Sequence, residues 1–165
     1  MYFEFFFIIS DYIKTINKRI IFYEWGIPIV VAAIIYKFTF QIECLKNFIS
    51  SSIGIIGVLL CFSIAAITII TTGSSKNLEE IKSKETNIKI NGNKISLYRL
   101  ILINFSYSVI IEVILILFSL LQPLLVCLKE TYLIFYYLLI MVGTFHILLL
   151  TLRNVSDFYL IITKS

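Results

Sequence analysis

Between Lys46 and Lys76 the sequence carries no charged side chain. A helix over that stretch is longer than the roughly 20 apolar residues needed to cross a bilayer. Two further apolar runs follow, from about Leu100 to Leu121 and from about Tyr132 to Leu152. A weaker run covers about Ile20 to Tyr36, or Trp25 to Phe40 if it is shifted outward. The span between Lys46 and Lys76 is placed from about Ser52 to Thr72. In the shifted first span, Pro28 falls in the first helical turn, where its missing N–H costs nothing. Pro123 marks the end of the third span. With 59% hydrophobic and 15% charged residues, the chain holds more apolar surface than one small core can hide. A soluble domain carries about 25% charged residues. The fold class read from these features is an all-α integral membrane protein with four transmembrane helices.

The first residues form a separate unit, 1–19. Glu4, Asp11, Lys14, Thr15 and Lys18 fall on one side of a 3.6-period helix, and Phe5, Phe6, Ile9, Tyr12, Ile13 and Ile16 take most of the other. That pattern predicts an interfacial amphipathic helix lying on the membrane surface. It does not read as a secretory signal, because Glu4 lies inside the apolar run and the basic residues come after it. The remainder, 20–165, is the transmembrane domain, with a polar loop at 73–99 between spans two and three. In that loop, 77–84 reads as a short helix with Asn77 as its cap. Asn91-Gly92 then predicts a β-hairpin with a two-residue turn, in which Ile90 faces Asn93 and Ile88 faces Ile95. A lone hairpin is marginal in water, so it needs a partner: the N-terminal helix, another copy or another protein.

Lys and Arg are divided unevenly. Eleven lie before the first span, in the 73–99 loop and in the tail, against Lys37, Lys46 and Lys129 on the other side. The positive-inside rule places the eleven, and both termini, in the cytoplasm; heavy use of Ile, Lys, Asn and Phe suits an AT-rich bacterial source, so the membrane expected is a bacterial inner membrane. Cys44 and Cys127 then share the outer side and could form a disulfide, whereas Cys61 reads as a packing residue. No Cys/His spacing suggests a metal, and no cofactor is indicated.

Three groups of residues are candidates for function. Asn104, Ser108, Glu112 and Ser119 lie within an arc of about 80° on span three. A carboxylate at that depth costs several kcal/mol unless it is protonated, paired or hydrated. The stripe is read as a pore lining or as a hydrogen-bonded seam between helices. His146, on span four, joins it as a candidate proton switch or a bonded core residue. The second group is the basic loop, Lys82, Lys84, Lys89, Lys94, Tyr98 and Arg99, suited to an anionic nucleotide or oligonucleotide, or to a cytoplasmic protein. The third is the small-residue stripe Gly54, Gly57, Cys61, Ala65 and Thr68, a packing seam within one chain or between copies. There is no phosphate-binding glycine loop, nucleophile elbow or HExxH, so an enzyme is not expected.

The segment ITIITTGSSKNLEEIK leaves the membrane at Ile67 to Lys82, and ISLYRLILINFSYSVIIEVILILF re-enters it at Ile95 to Phe118. This layout resembles small four-span membrane effectors of bacterial anti-phage defence systems, such as the Hailong and CBASS effectors or the Kiwa membrane component. The resemblance covers roughly Ile53 to Leu121 and implies a multimeric effector that breaches the membrane. No functional residue carries over from it. The expected function is an oligomeric membrane effector or channel gated by a cytoplasmic signal. The alternative is a non-conducting membrane sensor or anchor that recruits a cytoplasmic partner protein. The expected partners are the lipid bilayer and further copies of the chain.

Overall fold

A computed structural model describes residues 4–38, 42–74, 76–125 and 129–163. Helix α1 (Glu4–Thr15) leads into α2 (Lys18–Ile21), a π turn (Phe22–Gly26) and α3 (Ile27–Phe38), which run on as one rod. Helix α4 (Ile42–Thr72) is followed by α5 (Lys76–Ser83), strands β1 (Glu85–Ile90) and β2 (Asn93–Ser96), and α6 (Leu97–Leu120). A short 3-10 turn over Gln122–Leu125 precedes α7 (Glu130–Thr163).

Four helices are long and apolar enough to cross a membrane: Lys18–Phe38, Glu43–Thr72, Leu97–Leu120 and Glu130–Leu160. Their existence follows the four apolar runs, but their ends do not. Helix α4 starts well before Ser52, and α7 continues past Leu152. At 31 and 34 residues, and 1.5 Å per residue, they measure about 46 and 51 Å. A hydrocarbon core is about 30 Å thick, so both extend beyond it. Pro28 is also placed differently from the expectation. It does not open a helix but sits within the continuous rod, after the π turn.

Helices α4, α6 and α7 pack mutually, and α3 leans on α7. At Gly143, where α7 meets α6, an added Cβ would lie 2.5 Å from a methyl of Leu115, so that side chain would have to move. At one end, Ala32, Leu45, Ile49, Tyr137, Ile140 and Met141 form a core. At the other, the hairpin end, two further clusters join the spans to α1, α5 and the hairpin. Outward positions stay apolar: Val30, Ile34, Val58, Leu117, Phe135 and Leu152 are all exposed. Lipid would cover such a surface.

The hairpin matches its expected turn. Asn91 and Gly92 have φ of 51° and 86°, and Ile90 pairs with Asn93. Both residues in the left-handed region is the signature of the turn whose twist suits a hairpin. The register is irregular between Glu85 and Lys89, and the Thr86 hydroxyl donates across the gap to the Ile95 carbonyl at 2.7 Å. Ile90 and Ile95 are buried beside Tyr12, Ile103 and Tyr107, so the hairpin's partner is α1 and the start of α6. Leu97 opens α6 instead of extending the strand, with Ser96 as N-cap, its hydroxyl accepting from the Arg99 N–H at 3.3 Å.

Helix α1 corrects the expected division into a polar and an apolar side. Tyr12 and Thr15 are buried, and Ile8, Ile9 and Ile16 pack partly against the protein. Phe5, Phe6, Phe7 and Ile13 face outward. One edge of the helix therefore belongs to the protein core and another is an exposed apolar edge. Cys61 is exposed on α4 and is not part of the packed core. Cys127, the second half of the expected disulfide with Cys44, lies outside the described residues.

Gly92→Val puts a branched side chain at a positive φ and should weaken the turn by about 1–2 kcal/mol. Amides of 85–96 should then exchange faster in hydrogen-exchange measurements in detergent, while those of α4 and α7 keep their protection.

Candidate functional site

The densest polar constellation begins in the π turn. Glu24 is only 5% exposed there. One carboxylate oxygen accepts from a terminal nitrogen of Arg153 on α7. The other accepts from the Tyr12 hydroxyl of α1 at 2.8 Å. A second Arg153 nitrogen donates to the Tyr12 oxygen at 3.3 Å, and the guanidinium lies 5.7 Å over the Tyr12 ring. Tyr12, itself 2% exposed, stacks on Tyr107 of α6, with centroids 3.5 Å apart and planes 7° apart. Burial pushes the Tyr12 phenol above the ordinary tyrosine range, and Glu24 adds to this against the pull of Arg153. The hydroxyl therefore keeps its proton and its role as donor.

His146 belongs to the same cluster. Its Nδ1 lies 3.0 Å from the Glu24 carbonyl oxygen, which can only accept. Nδ1 is therefore the N–H, and Nε2 accepts from the Tyr107 hydroxyl at 3.3 Å. The Glu24 carbonyl is available because Pro28, four residues on, has no N–H to offer it. Trp25 stacks on the imidazole at 4.2 Å. Four parts of the chain thus meet at one point: α1, the π turn, α6 and α7.

Of these residues, sequence reasoning singled out only His146. Arg153 was counted as a tail cation and Tyr12 as part of an apolar face. Glu24 went unread, although it is the one acidic residue in the first apolar run. A negative charge inside the first apolar run and a positive charge at the very end of the fourth are the signal that points to the pair.

The span-three stripe is gathered as expected, and it faces the chain's own interior. Ser108 accepts from the Asn154 side-chain amide at 2.8 Å, and Glu112 accepts from the Ser63 hydroxyl of α4 at 3.1 Å. Asn104, Ser108, Glu112 and Ser119 are all buried, Glu112 at 0% exposure. His146 and Glu112 do not bond; each has its own partners. Several interior polar atoms have no partner among the described residues: one oxygen of Glu112, the hydroxyls of Ser119 and Thr151, Nε of Arg153 and the side-chain oxygen of Asn154.

The small-residue stripe lies on the other edge of α4. Gly54, Cys61, Ala65 and Thr68 are exposed and Gly57 is half-buried. The packed edge is Ser52, Ile56, Ser63, Ala66 and Ile70. The stripe is therefore not the seam that holds this chain together.

The basic loop does not converge. Lys82 sits 5.7 Å over the Tyr98 ring, Lys94 pairs with Glu85 at 3.7 Å, and Arg99 reaches Asp11 of α1 at 3.6 Å. Lys89 faces Lys94 across the hairpin. Lys84 lines a cavity of about 720 Å³ between α5, the first turns of α6 and the last turns of α7. Its walls combine Ile81, Leu100, Ile101 and Leu160 with Glu80 and Asp157.

No family model, curated protein or solved structure matches the chain.

Removing one member of the Glu24–Arg153 pair leaves the other charge buried alone. Arg153→Leu should cost on the order of 3 kcal/mol, below the extreme for a fully sealed pair because part of the guanidinium is open. The double variant Glu24→Leu/Arg153→Leu should recover most of that loss. Thermal unfolding in detergent compares the two, and additive losses would mean the pair is not coupled.

Proposed function

We propose that this chain is a non-conducting membrane sensor or anchor that meets a soluble partner through its hairpin end. The observation that carries this reading is the closed interior beneath a joined head. Asn104, Ser108, Glu112 and Ser119 are sealed among one chain's helices, so among the described residues this stripe does not face an open channel. At the hairpin end, α1, α5, the hairpin and the ends of α6 and α7 pack as one body. The positive-inside count supports a cytoplasmic position for that head. The polar cluster then couples head to membrane: a partner that displaced α1 would uncover Tyr12, Glu24 and Arg153 together.

A second reading, an oligomeric effector or channel gated by a cytoplasmic signal, is favoured by the partnerless interior atoms around Glu112. Polar groups left unsatisfied at that depth call for water, an ion or a second conformation. The open small-residue stripe of α4 is a surface on which copies could pack closely. The layout likeness to anti-phage effectors agrees with this reading. The stripe of α6 would line a path only after the bundle opens.

Ion flux across liposomes separates the two. The sensor reading expects no flux from the purified chain, and equal silence from Glu112→Leu. Flux that Glu112→Leu abolishes would establish the second reading in its place. Orientation is tested by Asn93→Cys at the hairpin turn, in a chain whose native Cys44, Cys61 and Cys127 are replaced by Ser. A membrane-impermeant maleimide should label it only after intact cells are permeabilised, and labelling of intact cells would reverse the assigned topology.

A further inference from the structure

The cavity at the hairpin end has a composition that suits one class of ligand. Its charged groups are Glu80, Lys84 and Asp157, two carboxylates and one ammonium. A bare anion, nucleotides included, would meet a net negative rim. A bare cation would leave Lys84 opposed. The set suits a ligand that carries an ammonium and a phosphate close together. Leu100, Ile101 and Leu160 supply an apolar wall, and Leu160 is also exposed on the outer face of α7. The cavity is therefore open sideways, at the level where α7 leaves its apolar span. Its volume, about 720 Å³, falls within the range of small-molecule sites.

The rim is held in place. The Leu97 N–H donates to the Lys84 carbonyl at 2.8 Å, tying the end of α5 to the start of α6. Leu78 and Ile81 anchor α5 in the core beside Ile101 and Phe105. Asp157 lies one turn beyond Arg153 on α7.

We infer that this cavity binds the headgroup of an ethanolamine phospholipid from the surrounding leaflet. The lipid ammonium, with three N–H donors, meets Glu80 and Asp157. The phosphate meets Lys84. An acyl chain leaves along Leu100 and Leu160 into the bilayer. This site is independent of whether the head recruits a protein or gates a pore.

Native mass spectrometry of the purified full chain in detergent tests it, with dioleoyl-phosphatidylethanolamine, -choline and -glycerol titrated in parallel. One ethanolamine lipid per chain should be retained at a lipid concentration about fivefold lower than either of the others. Glu80→Gln and Asp157→Asn should each weaken retention of the ethanolamine lipid without lowering phosphatidylglycerol uptake, since each removes one negative charge from the rim. Glu80 is exposed, so its substitution does not threaten the fold. Equal retention of the three lipids, or a preference that survives both substitutions, would overturn the assignment. An excess of soluble phosphoethanolamine should leave the lipid bound. Complete displacement would mean that the cavity reads a free solute, and would overturn the lipid assignment as well.

Discussion

A carboxylate and a guanidinium placed in apolar helices are each costly to bury, and each removes most of the other's cost. Glu24 and Arg153 do this across 129 residues of chain. The first membrane-length helix packs mainly on α7, so this pair fixes both its depth and its rotation. Tyr12 then brings the surface helix to the same point, since its hydroxyl is shared between both charges. The Tyr12 ring lies flat on Tyr107, and the hairpin closes over that stack through Ile90 and Ile95. The whole hairpin end is organised around one ion pair.

That dependence explains what was legible in the sequence and what was not. The four spans were legible because hydropathy acts residue by residue and needs no knowledge of neighbours. The Asn91-Gly92 turn was legible because its backbone demand is local. The arc formed by Asn104, Ser108 and Glu112 was legible from helical periodicity. Its direction was not, since the arc is the same whether it faces Ser63 and Asn154 in one chain or an axis between copies. The ion pair was illegible for a related reason: it depends on the relative depth of two helices far apart in sequence. Nearness along the chain also says little about how the basic loop is arranged: Lys82 lies over Tyr98, Lys94 pairs with Glu85, and Arg99 reaches Asp11.

The interior of the helices thus holds two kinds of buried polar group. Those near α1 are densely paired, and a substitution there propagates through four elements. Those deeper in, around Glu112 and Ser119, are thinly paired. A region of the second kind changes state at lower cost than one of the first, because fewer bonds have to break. A local rearrangement around Glu112 therefore breaks fewer bonds than the displacement of α1 that would open the Glu24 cluster.

The π turn at Phe22–Gly26 has a consequence for how this chain tolerates insertion and deletion. A π turn is a helix that has accepted one additional residue without losing its axis. Each residue advances a helix by about 100°, so the insertion rotates everything before it relative to everything after it. Excising one residue here would leave a better α-helix and a chain of nearly the same hydropathy. It would also swing Glu24 out of line with Tyr12 of α1 or with Arg153 of α7. The irregularity is the phase setting of the first span, and regularising it would give a helix that still crosses but no longer faces its partners.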